Sequence, residues 1–123
     1  MAAQITAIPG ASDYFLGSLV TYSNKLKEEM LGVKPGTLKK HGAVSAKAVH
    51  EMWKGLMKKT GADYGIAVTG NAGPTGKPVG VIWFALGKRG EEPIVDTFHI
   101  KGSRKTVIQK TTERLFDLLW RTK

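Results

Sequence analysis

Two apolar runs in this chain stop abruptly at polar, turn-forming segments. Leu16–Tyr22 gives way to Ser23-Asn24-Lys25-Leu26-Lys27, and Tyr64–Thr69 gives way to Gly70-Asn71-Ala72-Gly73-Pro74. Short apolar runs bounded in this way read as buried strands. In open α/β sheets, ligands bind outside the carboxyl ends of the strands. Two such ends in one small chain predict a shared pocket for a small anionic molecule.

The remaining pattern supplies the helices. Residues 1–8 read as the tail of a helix carrying Ile5 and Ile8 on one side, broken by Pro9-Gly10. Ser23 or Asn24 can cap a helix whose Leu26, Met30 and Leu31 share a face, and Gly32 suits its end. Pro35 opens a short helical turn through Lys40. Ser45 caps a longer helix in which Val49, Met52, Trp53 and Leu56 recur at helical spacing, with Gly61 as its stop. Gly70 to Lys77 is a loop. Pro78–Leu86 and Ile94–Ile100 read as a hairpin joined by Gly87-Lys88-Arg89-Gly90. Gly102-Ser103 begins a last amphipathic helix with Val107, Ile108, Thr111, Leu115, Leu118 and Leu119 inside. Strands alternating with helices and followed by a hairpin predict an α/β fold, a mixed sheet covered by helices.

Length and composition bound the possibilities. A chain of 123 residues with 41% hydrophobic content makes one globular domain, 1–123, with a modest core. No apolar run approaches the ~20 residues of a membrane span. The start, Met1-Ala2-Ala3-Gln4, lacks the basic n-region and apolar stretch of a signal peptide. The absence of cysteine excludes disulfides and thiolate chemistry within these residues. A cytoplasmic protein is the simplest reading. The net charge of +9 invites a nucleic-acid partner, but the basic residues are scattered and do not interleave with aromatics. A solvated basic surface that steers a phosphate-bearing small ligand is the favoured reading.

Several residues could carry chemistry. Tyr22 stands at an expected strand end and Lys27 about one turn into the next helix, so a phenol and an amine could share a proton. An exposed tyrosine and a surface lysine would satisfy the same spacing. The loop Thr69, Gly70, Asn71, Ala72, Gly73 lets backbone approach a ligand and offers amides to an anion, although it equally suits a plain turn. It lacks the G-x-x-x-x-G-K-S/T spacing of a P-loop. Arg104 lies in the first turn of the last helix, where a guanidinium can fork a phosphate; a surface arginine is the alternative. His41, His50 and His99 are far apart and lack metal-ligand spacing, so no metal site is read here.

The run Pro9-Gly10-Ala11-Ser12-x-Tyr14-Phe15-x-Gly17, followed by Val20-Thr21-Tyr22-Ser23-Asn24-x-x-Lys27, resembles the CinA C-terminal domain family. So do Leu31-Gly32-Val33, His41-Gly42-Ala43-Val44-Ser45, Thr69-Gly70-x-Ala72-Gly73-Pro74 and Lys77-Pro78-Val79-Gly80. The resemblance spans nearly the whole chain in order. It implies a three-layer α/β/α sandwich with a mixed sheet that has one strand antiparallel. It also implies hydrolysis of the carboxamide of nicotinamide mononucleotide to nicotinic acid mononucleotide and ammonia, without metal or cofactor. Tyr22 and Lys27 match the family's active-site tyrosine and lysine. Thr69 to Gly73 match its nucleotide-binding loop, and Arg104 its arginine on the last helix.

Two departures accompany the match. The family's Ala-Glu-Ser-Cys-Thr-Gly-Gly-like segment, which carries the presumed nucleophilic serine, falls just before the position of Ala2. Neither Ser12 nor Ser23 takes its place. The expectation is therefore an N-terminally truncated chain, or a start assigned too late, lacking the family's first strand. Its exposed sheet edge could drive homo-oligomer formation. The loop between Pro74 and Lys77 is also shorter than usual in the family. Three readings follow: an amidohydrolase, a mononucleotide-binding module that has lost its chemistry, and a basic nucleic-acid-associated protein.

Overall fold

The computed structural model describes residues 1–75 and 79–122. A sheet of three strands, ordered β1-β2-β3, is formed by Tyr64–Gly70 (β1), Val81–Lys88 (β2) and Ile94–His99 (β3). Among the described residues five α-helices accompany it: Ala2–Thr6 (α1), Asn24–Leu31 (α2), Pro35–His41 (α3), Ala46–Thr60 (α4) and Arg104–Thr122 (α5). No helix among the described residues is long and apolar enough to cross a membrane.

The strand period divides the sheet into two faces. Ala67 and Ala85 turn toward α4 and pack with Val49, Met52, Trp53 and Met57. Ile82, Phe84 and Leu86 turn the other way, onto Val107 and Leu115 of α5. The result is the helix–sheet–helix layering expected for an α/β chain. Phe84 and Phe98 stack within the α5 face at 4.7 Å between ring centroids, and Arg114 lies over Phe98 at 5.3 Å.

Local signals placed most helix ends. Ser23 Oγ accepts the Leu26 N–H at 3.1 Å, and Ser45 Oγ accepts the Ala48 N–H at 3.2 Å, so each serine is an N-cap. Gly32 and Gly61 close α2 and α4 with φ of 69° and 67°, in the left-handed region that glycine tolerates. The α3 cap has a longer-range origin. Glu51 on α4 accepts the Lys34 N–H at 2.9 Å and the Thr37 hydroxyl at 2.8 Å, supplying the carboxylate that the start of α3 lacks.

Four expectations need correction. Leu16–Tyr22 is not a strand. A strand needs a neighbour for its backbone groups, whereas here the carbonyls of Thr21 and Tyr22 are taken by the Lys27 ammonium. Leu16, Val20 and Tyr22 are exposed, and only Leu19 and Thr21 turn inward. Without that strand the sheet is not mixed: β1–β2 and β2–β3 both pair antiparallel. In the hairpin, β2 runs on through Gly87 and Lys88 to pair with β1, so the turn sits further along, with Glu91 N–H on Lys88 O at 3.1 Å. On α5, Ile108 is exposed and Thr112 takes the buried position, its hydroxyl bonded back to the Ile108 carbonyl. The expected strand start at Pro78 and loop end at Lys77 lie outside the described residues.

Candidate functional site

Helix α2 carries an ammonium into the protein. Lys27 is 7% exposed, and its Nζ donates to the carbonyl oxygens of Thr21 at 2.8 Å and Tyr22 at 3.2 Å. Burial disfavours the charged form and pulls its pKa below the ordinary lysine value. Deprotonation is thereby eased, the direction that suits a proton acceptor. The lysine holds Tyr22 through its backbone carbonyl. The Tyr22 side chain is 82% exposed and projects from the segment that ends at the α2 cap.

A second group forms where β1 ends. Thr69 is buried and its hydroxyl donates to the Ala43 carbonyl at 2.9 Å, tying β1 to the loop between α3 and α4. Beyond it, Asn71 stays in the ladder for one more step. Its N–H donates to Val81 O at 3.2 Å, and its carbonyl accepts the Gly80 N–H at 2.7 Å. Its side-chain Oδ1 accepts the Gly73 N–H at 2.9 Å. Arg104, in the first turn of α5, donates from Nη1 to the Gly73 carbonyl at 2.8 Å. Ser103 caps that helix, accepting the Thr106 N–H at 3.2 Å.

The structure thus joins Arg104 to the Thr69–Gly73 loop, and Lys27 to the Tyr22 backbone. Among the described residues no hydrogen bond or ion pair links the two groups. The hold of the Ala43 carbonyl on Thr69 escaped sequence reading because a backbone acceptor has no residue-type signature. Glu51 escaped it because its partners lie 14 and 17 positions away. An open cleft of about 370 Å³ lined by Thr6, Ile8, Pro9, Gly10, Ala11, Ser12 and Phe15 shares no residue with either group.

A helix–sheet–helix domain with a buried amine on α2, a small-residue loop at the end of β1 and an arginine of α5 bonded to that loop belongs to the class of layered α/β domains. Within that class the chain belongs to the CinA C-terminal domain family, whose family model matches residues 1–123. It is 41% identical over 124 residues to the nicotinamide-nucleotide amidohydrolase PncC of Escherichia coli K12, covering 98% of this chain and 75% of that protein. It is 40% identical over 126 residues to a putative competence-damage inducible protein of Moorella thermoacetica, covering 99% of this chain but spanning only 30% of that longer protein. Among solved structures, the competence/damage inducible protein CihA of Agrobacterium tumefaciens superposes with a TM-score of 0.93 at 32% identity, over 98% of this chain and 76% of that one. The competence damage-inducible protein A of Klebsiella pneumoniae superposes with a TM-score of 0.92 at 34% identity, over 96% of this chain and 75% of that one.

Proposed function

We propose that this chain binds nicotinamide mononucleotide and belongs to an amidohydrolase that converts it to nicotinic acid mononucleotide. The observation that carries the reading is the 41% identity to an amidohydrolase of that substrate class, matched over 98% of this chain. In the reaction, water is added across the carboxamide C–N bond. The carbon keeps the oxygen and the nitrogen leaves as ammonia.

Each residue has a role suited to its surroundings. Lys27, with its lowered pKa, accepts a proton from the attacking group and returns one to the departing nitrogen, with the exposed Tyr22 as its partner. The Asn71 and Gly73 amides are already bonded to Val81 O and Asn71 Oδ1, so the loop meets the developing oxyanion or the nucleotide through the amides of Gly70 and Ala72. Arg104 takes the phosphate through the part of its fork not bound to Gly73. The attacking serine that the family resemblance implies has no match among these 123 residues. Ser23 is committed to capping α2.

The test is ammonia release from nicotinamide mononucleotide, measured beside direct binding of the same nucleotide. Equal amounts of ammonia and nicotinic acid mononucleotide, abolished by Lys27→Met, are expected of the amidohydrolase. The commitment of the Ser23 hydroxyl favours a second reading, a module that binds the nucleotide without turnover. Binding with no ammonia selects that reading. Neither binding nor turnover sinks both.

A further inference from the structure

Both polar groups of Gly73 are held by side chains. Its N–H is taken by Asn71 Oδ1 at 2.9 Å and its carbonyl by Arg104 Nη1 at 2.8 Å. Gly73 is buried with φ of 81°, and a Cβ there would lie 2.8 Å from Val79 Cγ1. A side chain at this position is therefore strained by conformation and would also force the Val79 methyl to shift. The Asn71 backbone is itself fixed, because its N–H and carbonyl are in the ladder with Val81 and Gly80. Asn71 is thus a rigid anchor, and its side chain transmits that rigidity to Gly73. Among the described residues the Arg104 guanidinium makes no hydrogen bond other than that from Nη1.

We propose that Asn71 is a positioning residue for Arg104. It holds the Gly73 peptide so that its carbonyl pins one end of the guanidinium, leaving Nε and Nη2 directed at an anionic group of the ligand. Asn71 then contributes to affinity without touching the ligand through its Oδ1. Pinning one arm removes part of the rotamer freedom that a free arginine loses on binding. The ligand identity rests on the nucleotide reading given above, while the positioning itself does not.

Two measurements separate the proposal from that reading. The first is amide hydrogen exchange at Gly73 together with the shift of the Arg104 Nε–H resonance on adding inorganic phosphate. These are followed by NMR in the parent protein, Asn71→Ala and Asn71→Ser. The serine hydroxyl can accept the same N–H from two residues away. Gly73 exchange is expected to accelerate about fivefold or more in Asn71→Ala, the equivalent of one hydrogen bond. The phosphate-induced shift is expected to shrink with it, and both are expected to recover in Asn71→Ser. The second measurement is the Kd for nicotinamide mononucleotide, expected to rise about fivefold in Asn71→Ala and to recover in Asn71→Ser, with the global melting temperature little changed. Unchanged Gly73 exchange in Asn71→Ala, or faster exchange with an unaltered phosphate response at Arg104, overturns the positioning role. A parent protein that ignores the nucleotide while Arg104 still responds to phosphate in the expected order keeps the positioning role and removes the substrate assignment.

Discussion

Arg104 Nη1 donates to the carbonyl oxygen of Gly73 at 2.8 Å, across 31 positions of sequence. This bond ties the start of the last helix to the small-residue loop that follows β1. Two features that the sequence presents separately, an arginine at a helix start and a glycine-rich turn, become one structural unit. The bond also fixes where the cation sits relative to the backbone amides of the loop.

Arg104→Ala is expected to weaken binding of nicotinamide mononucleotide by about 10-fold or more, since hydrogen bonds to charged groups contribute about 1.5–3 kcal/mol. Arg104→Lys is expected to recover little, because an ammonium cannot hold a carbonyl and fork a phosphate at once. Titration calorimetry against the nucleotide measures both. Equal affinity in Arg104→Ala and the parent would remove Arg104 from the binding site.

The helices were legible because their signals are local. Ser45, the spacing of Val49, Met52 and Trp53, and Gly61 all lie within α4 or at its ends, and the helix forms between those ends. The Leu16–Tyr22 expectation failed because a strand is a relationship between two segments. That run has strand composition, but its carbonyls meet a lysine instead of a ladder. The site divides in the same way. Residue types pointed to Lys27, Arg104 and the Thr69–Gly73 loop, yet no spacing rule could give the Arg104–Gly73 bond or the hold of Ala43 on Thr69.

Lys27 makes stability depend on alkaline pH. Burial lowers its pKa in the folded state below the unfolded value of about 10.4. Between the two values the unfolded chain binds more protons, so its contribution to folding improves as pH rises through that window. The stability of the parent relative to Lys27→Met should therefore increase toward pH 10. Denaturant titrations of both proteins at several pH values measure it, and a difference that stays flat or falls would contradict the burial of the amine.

Glu51 acts at the other end of the pH scale. Burial raises its pKa, but the Lys34 N–H, the Thr37 hydroxyl and the charges of Lys34 and Lys47 outweigh that, and the net shift is downward. A carboxylate with a depressed pKa stabilises the fold above its unfolded value of about 4.3 and loses that contribution as pH falls through the folded value. Glu51→Ala is expected to cost about 1–2 kcal/mol at pH 7, comparable to the loss of a helix cap. The cost should shrink in acid. Urea unfolding of the two proteins at neutral and acid pH reads both parts, and a cost independent of pH would assign the effect to packing rather than to the carboxylate.

Gly55 tests whether propensity or packing sets the stability of α4. In an exposed helix interior, Gly→Ala stabilises by about 1 kcal/mol, since alanine is the better helix former. Here α2 crosses α4 so closely that a Cβ on Gly55 would lie 1.8 Å from the Leu31 carbonyl oxygen and 2.8 Å from its Cα. The clashing atoms are backbone of the last turn of α2, so no rotamer change relieves them. Relief requires the two helices to part, which would open the cluster in which Leu31 and Val33 pack with Val49, Met52 and Trp53. Overpacking of a core typically costs about 1–3 kcal/mol, and a rigid backbone obstacle belongs at the upper end. The sum is a net loss of about 2 kcal/mol for Gly55→Ala, opposite in sign to the propensity effect. Because α2 also carries Lys27, separation of the helices should loosen the bonds from its amine to the Thr21 and Tyr22 carbonyls. Chemical denaturation gives the stability change, and a variant more stable than the parent would mean that α2 does not lie on α4 as described.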